Sequence, residues 1–329
     1  MKLLYLTDTH IRASSPQNRT DDFVETLKNK FQEVNAIVER EGVDAILHGG
    51  DFFDIPSPSL AVCADFIALM KGAGVPIYGI AGNHDVFGHN PDTLPRTMLG
   101  FMDRIGIVKL IHPGDPLYLE KNGFKVQVTG QHYHYDLDRR DPRLDYVIDE
   151  VNADIGIHLV HGMLMDRAFI EGVAHTRFDQ ILDTKAHLTL CGHNHMGWPE
   201  VKHEGKIFYN PGGFVRLSNH PADAGRTPQV LLLDMTSGEL VLKKIKLTTA
   251  PPGDECLDRS KNEEAAFTQQ RLADFVQGIK AAGDYKVIDI GAIIDEIASR
   301  DGLQPDVREE AMKRIAAAQE RLSTGESAS

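Results

Sequence analysis

Asp44-Ala45-Ile46-Leu47-His48-Gly49-Gly50-Asp51 is a short apolar run that stops abruptly at two glycines and a carboxylate. A run of this length bounded by turn residues fits a buried strand better than a helix, which needs ten or more residues. The same pattern recurs on either side of it. Lys2–Thr7 ends at Asp8, Pro76–Ile80 ends at Gly82-Asn83-His84-Asp85, and Ile155–Val160 ends at His161-Gly162. Ala186–Leu190 ends at Cys191-Gly192-His193-Asn194-His195. Helical periodicity lies between some of these runs. Asp21–Arg40 puts Phe23, Leu27, Phe31, Val34 and Val38 on one face, with Asp21 or Asp22 as its cap, and Ser59–Lys71 aligns Ala61, Phe66, Leu69 and Met70. Strands alternating with helices predict an α/β fold with a mixed or parallel sheet, and groups placed just after strands match the position of α/β sites.

Further strands are expected at Lys125–Thr129, Lys206–Tyr209, Val230–Asp234 and Leu240–Leu247, the last two as a hairpin around Thr236-Ser237-Gly238. Thr248–Asp254, with Pro251-Pro252-Gly253, reads as a linker. Helical stretches follow at Glu263–Ala281, Gly291–Arg300 and Asp306–Leu322. The expected organisation is a main domain over 1–248, a linker over 249–255 and a small helical C-terminal domain over 256–329, with 323–329 disordered.

The net charge of −13 argues against a uniformly basic nucleic-acid surface. It leaves room for a local basic groove, or for a site whose positive charge comes from bound cations. Cys63, Cys191 and Cys256 follow no paired spacing, which suits a reducing compartment without disulfides. No signal peptide and no apolar run of membrane-spanning length is visible, so the expectation is a cytoplasmic, soluble protein without a membrane partner.

Singly, each polar cluster has a bland reading as a cap, a turn or a satisfied histidine. Together, five strand ends in one chain deliver carboxylate, amide and imidazole groups, the ligand types of Mn, Fe and Zn. Two divalent cations about 3.5–4 Å apart activate water and stabilise both oxygens of a displacement at phosphorus. Such a pair needs a bridging carboxylate, and Asp51 is its natural candidate, because Gly49-Gly50 lets the backbone approach closely.

The series Asp8-x-His10, Gly50-Asp51-x-x-Asp54, Gly82-Asn83-His84-Asp85, His161 and Gly192-His193-x-His195 resembles the calcineurin-like metallophosphoesterase superfamily. The resemblance covers about the first 215 residues. It implies a four-layer β-sandwich flanked by helices and two metals. The first would take Asp8, His10, Asp51 and His195, the second Asp51, Asn83, His161 and His193. The resemblance makes His84 the non-ligand histidine that protonates the leaving oxygen, with Asp85 orienting its ring and Asp54 serving the ligands similarly. Mn is the first choice of metal, with Fe or Zn as alternatives.

Gly130-x-x-Tyr133 and Asn210-Pro211-Gly212-Gly213-Phe214-Val215-Arg216-Leu217-Ser218 are similar to the DNA-repair exonuclease branch, the SbcD/Mre-type nuclease subunits. The pattern departs at Gly213, where that branch usually carries Ser. This likeness implies DNA as substrate, an SMC-like Rad50/SbcC-type ATPase partner, a homodimer, and C-terminal segments that cap DNA or dock the ATPase. Tyr133 and Arg216 are its substrate-contact candidates, the latter through a guanidinium fork on phosphate. A small-molecule phosphodiesterase or phosphatase, for example one acting on cyclic nucleotides, is the alternative. A non-catalytic scaffold would predict eroded ligands, and all are present. His89 is a weak contact candidate. His48, His112, His158, His175, His187, His203 and His220 sit in no motif and receive no role.

Overall fold

Every one of the apolar runs becomes a strand in the computed structural model, which describes residues 1–169, 173–218, 220–258 and 307. In chain order the elements open with β1 (Lys2–Leu6), α1 (Phe23–Glu41), β2 (Ala45–His48), α2 (Leu60–Gly72), β3 (Ile77–Gly79) and α3 (Met98–Arg104). Next come β4 (Lys109–Leu110), β5 (Leu117–Lys121), β6 (Phe124–Gln131), α4 (Arg143–Tyr146), β7 (Ile155–Val160), β8 (Leu164–Met165) and β9 (Thr176–Arg177). The series closes with β10 (Leu188–Cys191), β11 (Trp198–His203), β12 (Lys206–Asn210), α5 (Pro221–Gly225), β13 (Gln229–Asp234), β14 (Val241–Lys246) and α6 (Gly253–Cys256).

Two six-stranded sheets result, ordered β14-β13-β1-β2-β3-β4 and β11-β12-β10-β7-β6-β5. In the first, β1 to β4 are parallel and the β13–β14 hairpin adds on antiparallel. In the second, β12, β10, β7 and β6 are parallel, and β11 and β5 close the edges antiparallel. Strand alternation then sorts the side chains by face. Leu3, Tyr5, Ala45, Leu47, Leu231 and Leu233 of the first sheet meet Val126, Val128, Ile157, Leu159, Leu188 and Leu190 of the second, forming the core between the sheets. Leu4, Leu6, Ile46 and Leu232 face the other way, onto Leu27, Phe31 and Val34 of α1 and Phe66 and Met70 of α2. The outer face of the second sheet is covered by Leu137, Tyr146, Leu164 and Ile181, from α4, β8 and the connecting loops.

Asp22 caps α1 by accepting the Glu25 amide, and Ser59 caps α2 by accepting that of Val62. The α1 stripe includes two residues the sequence reading omits, Ile37 and Lys30, the latter buried with its apolar neighbours. On α2 the buried stripe is Cys63, Phe66 and Met70, and Ala61 is exposed, because it lies off that helical face. The strands that sequence periodicity misses are edge strands or two-residue pairs. β5 and β11 carry mixed polar residues rather than an apolar run, although the turns that close their hairpins, Asn122-Gly123 and Glu204-Gly205, adopt positive φ at both residues.

The chain divides into two units, Met1–Glu263 and Glu264–Ser329. Residues 248–258, which include the expected linker, are held to the first unit. Thr248 and Thr249 donate to the Glu33 carboxylate, the Thr20 amide donates to the Cys256 carbonyl, and that of Asp258 to the Asn18 carbonyl. The three C-terminal helices and the tail read from sequence lie outside the described residues, except for Val307. All three cysteines are free. Among the described residues no helix is long and apolar enough to cross a membrane.

Leu3 has no exposed surface and sits between the two sheets. Leu3→Ala is expected to cost about 2–5 kcal/mol, read from urea unfolding at unchanged slope. A loss under about 1 kcal/mol would mean that the facing side chains collapse to fill the space.

Candidate dinuclear metal centre

Parallel strands in both sheets end at the same edge of the sandwich, and the loops that leave them are laced together by backbone hydrogen bonds. The amides of Asp8, His10 and Ile11 donate to the carbonyls of Gly50, Asp51 and Phe52, that of Gly192 to Val160, and that of Phe214 to Thr7. This lacing forces Asp8 (φ 56°), His10 (φ 42°), Asp51 (φ 53°) and His193 (φ 69°) into the left-handed region. Non-glycine residues rarely occupy it, and where they do the strain clusters at functional sites.

The loops bring two groups of potential ligands together. Asp8, His10, Asp51 and His195 form one, and Asp51, His161 and His193 the other, with Asp51 shared. Within the first, His10 Nε2 lies 3.0 Å from His195 Nε2 and 3.5 Å from Asp51 Oδ2, and His195 Nε2 lies 3.4 Å from Asp8 Oδ1. Within the second, His161 Nε2 lies 3.3 Å from Asp51 Oδ2, and His193 Nδ1 lies 2.9 Å from Asn83 Oδ1, which adds the amide to the group. A third group, His10, Asp54 and His84, adjoins the first.

The donor set fits divalent cations for three structural reasons. His161 Nε2 is buried without a hydrogen-bond partner, while Nδ1 donates to the Gly49 carbonyl at 2.7 Å. That bond commits Nδ1 and leaves Nε2 facing the cluster, where loss of its proton would expose the lone pair of a ligand histidine. Asp8 and Asp51 are almost wholly buried. Each carboxylate is oriented by donors, Asp8 by the Thr7 hydroxyl and the His193 amide, and Asp51 by the His84 amide. Finally, the backbone passes too close to these groups for side chains. A Cβ on Gly82 would lie 2.1 Å from Asp51 Oδ1, and one on Gly50 would lie 2.4 Å from His161 Nδ1.

Electrostatics point the same way. Burial raises the Asp8 and Asp51 carboxyls, but His195 and His161 beside Asp8, and His161 and His10 beside Asp51, outweigh it and hold both below the ordinary carboxylate range. Burial lowers His161, yet the Asp51 and Asp8 carboxylates override it and hold the ring at about 9. His193 is pushed down to about 4 by burial and by His161. Without metal, imidazolium protons therefore balance the buried carboxylates. Elsewhere burial keeps His48 and His132 near 3 and His158 near 4, all neutral.

The structure corrects two readings. Asp85 does not orient the His84 ring: its buried carboxylate accepts the amides of Gly82, Phe52 and Phe53 and so ties the third strand-end loop to the second. Burial and the Asp51 charge push it up to about 7. The His84 ring instead donates through Nδ1 to the Asp54 carbonyl at 2.8 Å. Asp54 also lies 3.6 Å from His10 Nδ1 and 3.2 Å from Arg12, so it serves both histidines.

Arg216 offers no fork to a phosphate, because it is only 2% exposed and its Nη1 donates to Cys256 Sγ. It belongs to a buried strap rather than to a substrate-facing loop. The carbonyls of Gly213, Phe214, Val215 and Arg216 accept from Arg226, Lys30, Arg226 and Arg19 in turn. The Gly213 amide donates to the His195 carbonyl, and a Cβ there would lie 3.3 Å from Asp8 Cβ and 3.4 Å from His195 Cγ. The strap thus backs two members of the first group. Tyr133 does reach the site, its ring 5.5 Å from that of His193 and 5.3 Å from that of His89. Phe87, Gly88 and His89 continue this wall past Asn83 and His84, lining a cleft of about 340 Å³.

A family model described as calcineurin-like phosphoesterase matches residues 1–197. A protein of Haloferax volcanii named DNA double-strand break repair protein Mre11 is 28% identical over 287 residues, covering 83% of this chain and 58% of that protein. The protein of the same name from Saccharolobus solfataricus is 29% identical over 118 residues, covering 34% of this chain and 30% of that one. The chain therefore spans less than two thirds of the length of these relatives. Among solved structures, a dimetal phosphatase of Danio rerio is similar at 10% identity and a TM-score of 0.48, covering 75% of this chain and 96% of that chain.

Because His161 rests near 9 without metal, a cation that takes its Nε2 must displace a proton. Mn²⁺ binding at pH 7 is therefore expected to release protons and to tighten as pH rises toward about 9. Titration calorimetry in buffers of different ionisation heat reads both, and pH-independent binding without proton release would contradict the assignment of His161.

Proposed function

The chain belongs to the calcineurin-like phosphoesterase family of metal-dependent enzymes, and from that premise we propose that it hydrolyses phosphodiester bonds in DNA as the nuclease subunit of a break-repair complex. The observation that carries the hydrolytic reading is Asp51 shared between two convergent ligand groups at one edge of the sandwich. The relatives named for DNA double-strand break repair favour DNA as the substrate.

On this reading Asp8, His10, Asp51 and His195 hold the first cation, and Asp51, Asn83, His161 and His193 the second. Mn is the preferred metal, with Fe or Zn compatible with the same N and O donors. When bound, two such cations supply Lewis acidity at the phosphoryl group and lower the pKa of water. The protein's own contribution is positional. The Asp54 carbonyl accepts a hydrogen bond from His84 Nδ1–H and so leaves Nε2 to carry the proton delivered to the leaving oxygen. Tyr133, its ring tilted against that of His193, and the cleft lined by Phe87 and His89 border the space where a nucleotide would lie.

A Rad50/SbcC-type ATPase partner and a homodimer complete the proposal. The role of the C-terminal segment as DNA cap or ATPase dock belongs to the same proposal.

The test uses end-labelled duplex and single-stranded DNA with Mn²⁺. Wild-type protein should degrade DNA, and Asp51→Asn should lose metal occupancy and activity together. His84→Ala should keep its metal while turnover falls about 10²–10⁴-fold, the range for loss of a general acid. Retained hydrolysis of bis(p-nitrophenyl) phosphate with intact DNA would replace the nuclease reading by a small-phosphodiester one. Unchanged turnover in the His84 variant would remove its assigned role.

A further inference from the structure

His48 belongs to no motif and contacts no proposed ligand side chain by hydrogen bond, yet it joins two of the ligand-bearing loops. It is the last residue of β2, 2% exposed, and its ring stacks on Phe52 with centroids 3.6 Å apart and planes at 17°. Nδ1 lies 3.2 Å from the Gly50 amide, which can only donate, so Nδ1 must accept. Nε2 lies 3.1 Å from the Thr9 hydroxyl. That hydroxyl is 2.9 Å from the Phe52 carbonyl and 3.4 Å from the Asp51 carbonyl, which can only accept. Its proton is therefore committed to them, and its lone pair is left for His48 Nε2–H. One neutral tautomer, protonated at Nε2, satisfies every group in the chain from Gly50 through His48 and Thr9 to Phe52.

We propose that His48 is a positioning residue for the metal centre, fixing the Asp8–His10 loop through Thr9 and the Asp51 loop through Gly50. The inference rests on the metal assignment made above. Thr9 lies between Asp8 and His10, Gly50 directly precedes Asp51, and the three ligands all have the left-handed backbone that persists only where surroundings over-determine it. An apolar residue at 48 would leave the buried Gly50 amide without its acceptor and free the Thr9 hydroxyl to turn. The loops would then lose the link that sets the spacing of Asp8, His10 and Asp51. Partners behind metal ligands typically alter affinity by about 10–100-fold.

The experiment uses the full-length protein stripped of metal, with Mn²⁺ titration calorimetry beside thermal unfolding of the metal-free form. Thr9→Val and His48→Leu should each weaken Mn²⁺ binding by about tenfold or more. Thr9→Ser, which keeps the hydroxyl, should bind as wild type does. The double variant should bind no more weakly than the worse single variant, since both break one chain. A long-range ¹H–¹⁵N correlation spectrum should place the His48 proton on Nε2. Binding within twofold of wild type in both single variants would overturn the proposal. So would a Thr9→Ser variant as weak as Thr9→Val, which would assign the effect to packing, or a proton on Nδ1. If His48→Leu fails to fold, the Val and Ser variants at position 9 still decide. Wild-type protein that binds no Mn²⁺ would instead sink the metal assignment itself.

Discussion

A carboxylate removed from water is stable only where cations or donors compensate its lost hydration. Asp51 is 1% exposed and Asp8 wholly buried, and the molecule is arranged around meeting that demand. Donors reach them from the loops after β1, β3 and β10: the Thr7 hydroxyl, the His84 amide and the His193 amide. Charge compensation comes from His161 after β7 and His195 after β10, whose rings the buried carboxylates hold above the ordinary imidazole range, while burial lowers His10. Removing any one of these strands from its register would leave a buried charge uncompensated. The sandwich and the site are therefore one energetic problem.

The convergence depends on parallel strands. Antiparallel neighbours send alternate loops to opposite edges, but β1, β2 and β3 in one sheet and β6, β7 and β10 in the other all deliver their carboxyl ends to the same side. The antiparallel strands are β14 and β13, beside β1 in the first sheet, and the two edge strands β11 and β5 of the second, and none carries a proposed ligand. Close approach then requires backbone without Cβ at Gly50 and Gly82, and left-handed backbone at Asp8, His10, Asp51 and His193. The stored strain is sustained because inter-loop amide–carbonyl bonds hold both ends of each strained segment.

That division explains what could be read from sequence. Strands with a buried face on both sides, such as Ile155–Val160, write themselves as apolar runs and end at recognisable turn residues, so their termini and the ligands at them are legible. Edge strands such as Leu117–Lys121 bury little and leave only a turn signal. Side chains that act through the backbone are the least legible. Asp85 sits in the motif beside His84 yet spends its carboxylate on three amides, and Asp54 steadies His84 with a carbonyl that any residue would possess. His48 carries no flanking motif because its partners, Thr9 and Gly50, belong to two different loops.

Arg216 shows how a plausible residue type misleads when burial is unknown, and its true setting bears on substrate recognition. Arg19, Lys30, Arg216 and Arg226 converge behind the first ligand group, and three of them donate to consecutive carbonyls of the strap. Burial and the neighbouring guanidinium groups push Lys30 down to about 7, so this cationic cluster is held at a real electrostatic cost. These side chains are spent on fixing backbone, and cannot also neutralise phosphates. The net charge of −13 leaves the chain without a general attraction for a polyanion. On the nuclease reading, cations held by Asp8, Asp51 and their histidines would supply positive charge at the scissile phosphate, so the same groups would serve both catalysis and substrate affinity.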